Sequence, residues 1–201
     1  VVTGDVAGYG DLLMRYFDEA GIPGFEDSKR GILGNPLVEL LRSLLDLTEG
    51  DFSYERVFRW IKCPLSGISD WECDRIENYV LAYGIRGRNM WRKPWTRKKE
   101  NLEKINELRV RVMETLEPVL DVLQDKETTT GDRIRALREY LAQNKVEERL
   151  DRMIQQLDED DSRSRLNRMR IKEYEQIFSR IEDIFTKVEE LLTDARKYYE
   201  K

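Results

Sequence analysis

Histidine is absent from the 201-residue sequence, and cysteine occurs only at Cys63 and Cys73. Structural zinc and iron-sulfur centres draw about four ligands from Cys and His, so two thiols ten positions apart cannot build one alone. The two cysteines read instead as ordinary small residues of a reducing cytoplasm rather than as a disulfide. The sequence also lacks any apolar run of the roughly 20 residues that a membrane-spanning helix needs, and no signal peptide opens it. A cytoplasmic protein without a membrane association is expected. No GxxxxGK[ST] phosphate loop occurs, so the chain is not expected to bind and split ATP by itself. Gly4, Gly8 and Gly10 do sit between a β-prone run and a helix, but without a lysine at the required spacing they read as a tight turn.

What the sequence has in quantity is charge. Asp, Glu, Lys and Arg make up 37% of it and hydrophobic residues 40%, with only 12 glycines and 5 prolines. That balance belongs to long solvent-bathed helices rather than to sheets. The formal net charge is −5, so any contact with a polyanion must come from a local patch. Acidic residues are numerous but scattered along helical faces beside Lys and Arg, in no catalytic constellation.

Read in order, Val1-Val2-Thr3-Gly4 is β-prone, Tyr9 to Ala20 has helical periodicity, and Ile22-Pro23-Gly24-Phe25 is extended. Strand, helix and strand suggest a small βαβ unit over residues 1–34, opening inside a strand as an excised segment would. The runner-up reading makes both runs irregular loops. A helical domain is expected over 35–201. Asn35-Pro36 is a strong helix start, Ser53 caps a second helix that ends before Cys63-Pro64, and Ser69 with Glu72 forms a capping-box signature. Trp71, Ile76, Tyr79, Val80 and Tyr83 then form an apolar stripe up to the stop at Gly84. From Thr96 a long helix carries Leu102, Ile105, Leu108, Val112, Leu116, Val119 and Leu123 on one face, with Pro118 expected to kink it. Asp125 to Gly131 is a polar break, two further helices follow, and Asp158 to Ser162 reads as a charged loop. The last helix, from about Ser164 to Tyr199, carries Ile177, Ile181, Ile184, Val188 and Leu191 three and four apart, with Phe178, Phe185, Leu192 and Tyr199 every seven beside them, a stripe wide enough to pack against two neighbours in a bundle.

The segment from Arg86 to Lys99 is the one strongly basic stretch. Arg86, Arg88, Arg92, Lys93 and Arg97 surround Trp91 and Trp95, with no acidic residue before Glu100. Two readings stand. Basic residues can neutralise phosphates while indoles stack on unpaired bases, giving a single-strand platform. Alternatively Trp91 and Trp95 are core anchors and the charges a solvated rim, which Pro94 beside Trp95 favours.

Asn35-Pro-Leu-Val-Glu-Leu-Leu-Arg, Asp51-Phe-Ser-Tyr-Glu-Arg-Val-Phe-Arg, Asp74-Arg-Ile-Glu-Asn-Tyr-Val-Leu-Ala-Tyr-Gly-Ile-Arg-Gly and Trp91-Arg-Lys-Pro-Trp resemble the B subunit of the AddAB-type bacterial ATP-dependent helicase-nucleases. The likeness is close up to about residue 115 and looser beyond. It implies a central, helicase-like fragment: a mainly α, multi-helical bundle, the inserted helical domain of a UvrD-like fold, with a βαβ remnant of the second motor domain. It also implies a role in DNA double-strand-break repair by homologous recombination, with DNA and the helicase-nuclease A subunit as partners. By the same resemblance the parent complex uses ATP, Mg and a 4Fe-4S cluster, all outside this region. The expected function is thus non-catalytic, structural and DNA-guiding. The alternative is a free-standing helical module for protein-protein interaction.

Overall fold

A computed structural model describes residues 6–24, 32–50, 52–97, 100–161 and 165–199. Among these residues the regular structure is helical. Helix α1 covers Val6–Glu19, and a 3₁₀ turn at Ile32–Gly34 leads into α2, Pro36–Thr48. The first expected strand, Val1 to Gly4, lies outside the described residues, as does Phe25. Ile22, Pro23 and Gly24 carry no strand; the chain folds back on α1 there, with Ile22 N–H donating to the Phe17 carbonyl at 2.8 Å.

The start signals in the sequence act as chemistry requires. Asn35 Oδ1 accepts from the Leu37 N–H at 3.0 Å, and Pro36 occupies the first turn, where its missing N–H is harmless. Ser53 caps α3, Tyr54–Ile61. Ser69 and Glu72 close a complete capping box on α4, Asp70–Tyr83: Ser69 N–H donates to Glu72 Oε2 at 2.9 Å and Ser69 Oγ accepts from Glu72 N–H. Gly84 ends α4 in the left-handed region at φ 64°, where a side chain would be strained.

Beyond α4 lie α5, Arg88–Arg92, a helix not foreseen from sequence, and then α6, Leu102–Gln124, α7, Thr130–Gln143, α8, Val146–Asp161, and α9, Arg165–Tyr199. Helix α6 runs through Pro118. The acidic run from Asp158 to Asp161, expected as a loop, continues α8 instead, because the Met153, Ile154 and Leu157 stripe carries the helix past it. Helix α2 packs on α3 and α6, α6 also on α4, α5 and α7, and α8 and α9 close the bundle against α7. One contiguous core results, from Leu37, Leu40, Leu44 and Leu47 of α2 through Val112, Leu116 and Leu120 of α6 to Ile177 and Phe185 of α9.

Two stripe assignments are corrected. On α4, Trp71 is 63% exposed and lies beneath the Arg75 guanidinium, 4.3 Å from the ring centre, while Cys73 takes the inward position. On α9 the buried seam runs through Ile177, Ile181 and Phe185, whereas Ile184 and Leu191 are exposed at 51% and 70%. The seam faces α7 and α8, and Arg138 of α7 ties it down through Glu182 and Glu189.

Candidate nucleic-acid interface

The basic tryptophan segment connects α4 to α6, and the residues flanking it dictate its shape. After Gly84, Ile85 is buried and its N–H donates to the Val80 carbonyl at 3.0 Å, so the chain turns back at once. Gly87, at φ 78°, sends its N–H to the Phe52 carbonyl and opens α5. That short helix delivers Trp91 inward, and Pro94 then directs Trp95 to the same side.

Trp91 and Trp95 are 1% and 5% exposed and meet edge-to-face at 5.2 Å. Tyr79 of α4 stacks on Trp95 at 4.9 Å with the rings within 6° of parallel, and Phe58 of α3 lies 6.5 Å from Trp91. The indole of Trp95 is held by its Nε1–H, which donates to the Met90 carbonyl at 3.0 Å. A base cannot reach ring faces already covered by protein, so in this conformation the two tryptophans anchor the turn rather than offer a stacking platform.

Two polar residues of α6 lock the turn from beneath. Asn106 Oδ1 accepts from the Trp95 N–H and Asn106 Nδ2 donates to the Trp95 carbonyl, both at 2.9 Å. Arg109 is 6% exposed and donates from Nη1 to the carbonyls of Trp91 at 2.6 Å and Arg92 at 3.2 Å, and from Nε to Asn106 Oδ1 at 3.0 Å. Burial alone pushes its pKa below the ordinary arginine value. Sequence reading passed over Arg109, although it breaks the apolar stripe of α6 between Leu108 and Val112.

The five basic residues of the turn have different surroundings. Arg88 pairs with Asp121 and donates to Gln124 Oε1 at 2.9 Å; Arg92 hydrogen-bonds Glu117, which holds its pKa above the ordinary value. Both are thus partly neutralised by α6. Arg86, Lys93 and Arg97 are exposed, and Arg97 lies over the Tyr83 ring at 5.6 Å while its carbonyl accepts from Tyr79 Oη at 3.2 Å. Lys98 and Lys99 lie outside the described residues. The turn therefore presents an outward cationic rim on a rigid aromatic base.

Cys63 and Cys73 are both buried, burial pushing the Cys63 thiol from 9.0 to about 11, and among the described residues no group of three His, Cys, Asp or Glu side chains is placed to hold a metal. The donor set does not fit an iron-sulfur cluster. Among the described residues no helix is long and apolar enough to cross a membrane.

Over 183 residues, 89% of its length, the chain is 37% identical to the B subunit of the ATP-dependent helicase/deoxyribonuclease of Lachnoclostridium phytofermentans. The chain belongs to the family of helicase/deoxyribonuclease B subunits. The B subunit of the same name from Clostridium novyi is 38% identical over 183 residues, 90% of the chain, and that from Symbiobacterium thermophilum 48% identical over 97 residues, 47% of the chain. The chain spans 16% of the length of each of the first two and 8% of the third. No family model matches it.

Proposed function

We propose that this chain is a non-catalytic, structural and DNA-guiding segment of a helicase-nuclease B subunit, working within an ATP-dependent exonuclease complex that processes DNA double-strand breaks for homologous recombination. The observation that carries the reading is the rim of Arg86, Lys93 and Arg97 held on a buried Trp91–Trp95 base. Cations fixed on a rigid turn track a phosphate backbone with little ordering cost. The partners in this reading are DNA and the helicase-nuclease A subunit, in the cytoplasm, with ATP, Mg and the 4Fe-4S cluster bound elsewhere in the complex. Residues 1–34 belong to the second motor domain, a placement supported by Tyr9, Leu12 and Tyr16, which line one side of α1 at helical spacing and are 48–59% exposed. Residues 35–201 are the helical domain inserted into it.

The test is a binding titration across salt with the complex of both subunits. Replacing Arg86, Lys93 and Arg97 together with Gln should weaken DNA binding most at low salt and flatten the dependence of log K on log salt. An unaltered slope would remove the guiding role. The chain by itself should show neither DNA-stimulated ATPase nor nuclease activity; turnover that co-purifies with it would overturn the non-catalytic reading.

A further inference from the structure

Arg149 seats on the loop that joins α3 to α4, away from the basic turn in sequence, with Arg152 and Arg111 near enough to influence its charge. Arg149 of α8 is half-buried and donates from Nη1 to the Leu65 carbonyl at 2.9 Å. Its guanidinium lies across Gly67, where an added Cβ would come within 2.3 Å of the guanidinium carbon; Gly67 also has φ 80°. Shape and backbone conformation both reserve this position for glycine, so the loop seats the guanidinium closely. Arg152, three residues further along α8, lies on the same face and among the described residues donates only to the Glu148 carbonyl, at 3.2 Å. Arg111 of α6 reaches Glu72 Oε1 at 2.7 Å, and Glu72 closes the capping box on Ser69, two residues after Gly67.

The charge here is unbalanced. Arg59, Arg88, Arg92 and Arg138 each hold a carboxylate, yet Arg149 and Arg152 form no ion pair among the described residues. Burial, and after it the neighbouring Arg152 and Arg111, push Arg149 below its ordinary pKa, while Tyr140 opposes them. A guanidinium carries five donors, and Arg149 commits one of its nitrogens to a carbonyl. None of its nitrogens is a buried atom without a partner, so the uncommitted donors reach solvent. A half-desolvated fork with a second guanidinium one turn away suits an anion with several acceptor oxygens, as a phosphate has.

We propose that Arg149, Arg152 and Arg111 form a phosphate-binding site that grips the backbone of a nucleic-acid strand. The choice of a nucleic acid over free phosphate rests on the DNA-guiding reading above; the site itself rests on the arginine geometry. It gives the chain a second phosphate contact, on α8 and the loop after α3, that is independent of the Arg86–Arg97 turn.

The experiment uses the 201-residue chain, a single-stranded oligothymidylate and, separately, inorganic phosphate. Each phosphate neutralised on a single strand contributes about 0.7 to the slope of log K against log salt. Arg152→Gln should therefore lower the slope by about 0.7, and Arg149→Gln with Arg152→Gln by about 1.4, while Arg149→Lys keeps the slope with weaker binding because it retains charge but loses the fork. Inorganic phosphate should raise the melting temperature of the parent chain and not that of the double variant. Among the described residues Arg152 donates only to its own helix, so Arg152→Gln decides the matter even if loss of Arg149 disturbs the loop. Slopes unchanged in Arg152→Gln and the double variant, or no binding by the parent chain at low salt, would overturn the site. A phosphate-dependent melting shift without any slope change would overturn the nucleic-acid assignment and leave a free-phosphate site. A parallel variant with Arg86, Lys93 and Arg97 changed to Gln separates the two ideas: if it alone flattens the slope, this inference fails and the basic-turn reading stands, and the reverse pattern does the opposite.

Discussion

Trp60 and Tyr140, eighty residues apart, share a buried hydrogen bond in which the indole Nε1–H donates to the phenol oxygen at 2.9 Å. It joins α3 to α7 through the middle of the core, and both side chains are at most 3% exposed. Tyr140→Phe removes the acceptor and leaves the indole N–H buried without a partner, a cost of about 1–3 kcal/mol. In a domain of this size that lowers Tm by roughly 2–4 °C per kcal/mol. Urea or thermal unfolding of the variant measures it; a change under about 0.3 kcal/mol would show that water replaces the phenol.

The same tyrosine shapes the alkaline limit of stability. Burial raises the Tyr140 pKa well above its ordinary 10.0, with the Trp60 hydrogen bond acting the other way, and burial raises Cys63 from 9.0 to about 11. Both groups are held neutral in the folded chain and ionise more easily when it unfolds. Their contribution is thus complete below about pH 9, declines as pH rises between 9 and 11 for Cys63, and for Tyr140 declines from about pH 10 upward. Denaturant midpoints measured from about pH 8 to 11 should fall, and fall less steeply in Tyr140→Phe compared with its own value at the lower end of that range.

Cys63 and Cys73 should react slowly with alkylating reagents in the folded protein, since burial keeps both thiols protonated and covered. Unfolding without reductant should expose both to full labelling. Mass spectrometry reads the result; one label or none in the unfolded, unreduced chain would reveal a disulfide and contradict the free-thiol assignment.

Helix starts were the most legible part of the fold, because a cap is a local chemical event. Asn35-Pro36, Ser53, Ser69 with Glu72, and the glycine stop at Gly84 each occur where the residues demand. What the sequence could not convey was which side of an ambiguous stripe turns inward. Trp71 on α4 and Ile184 on α9 lie on their stripes yet are exposed, while Cys73, Ile76 and Phe185 beside them are buried. The basic turn was visible as composition, with Pro94 beside Trp95 favouring a packed turn. Whether Trp91 and Trp95 point inward depends on Asn106 and Arg109, which come from a helix further along the chain, and no local pattern carries such a contact.

Removing either tryptophan should test how far the turn depends on its aromatic base. Trp91→Ala and Trp95→Ala each empty a buried site and should cost about 3–5 kcal/mol. Trp91→Phe keeps part of the volume and should cost less. Equilibrium unfolding gives the values, and costs below about 1 kcal/mol for both alanine variants would mean that the indoles are free to leave the core and that the stacking platform regains its standing.

Arg109 offers the sharpest separation between holding the turn and binding through it. Its guanidinium satisfies the Trp91 and Arg92 carbonyls and steadies Asn106, all without reaching the surface. Arg109→Met preserves the apolar stem and length but leaves those carbonyls unpaired, so a loss of about 1–3 kcal/mol is expected. Arg109→Lys should recover only part of it, because one ammonium cannot span the two carbonyls and the amide that the planar fork reaches together. Neither variant alters the exposed charge of Arg86, Lys93 and Arg97. If the turn guides DNA, both variants should weaken binding by loosening the rim while leaving the salt slope nearly unchanged, since the number of phosphates neutralised stays the same. A slope that collapses in Arg109→Met as fully as in the triple Gln variant would show that the rim exists only while Arg109 holds it, and unaltered binding in a measurably destabilised Arg109→Met would show that the turn's geometry does not matter to DNA at all.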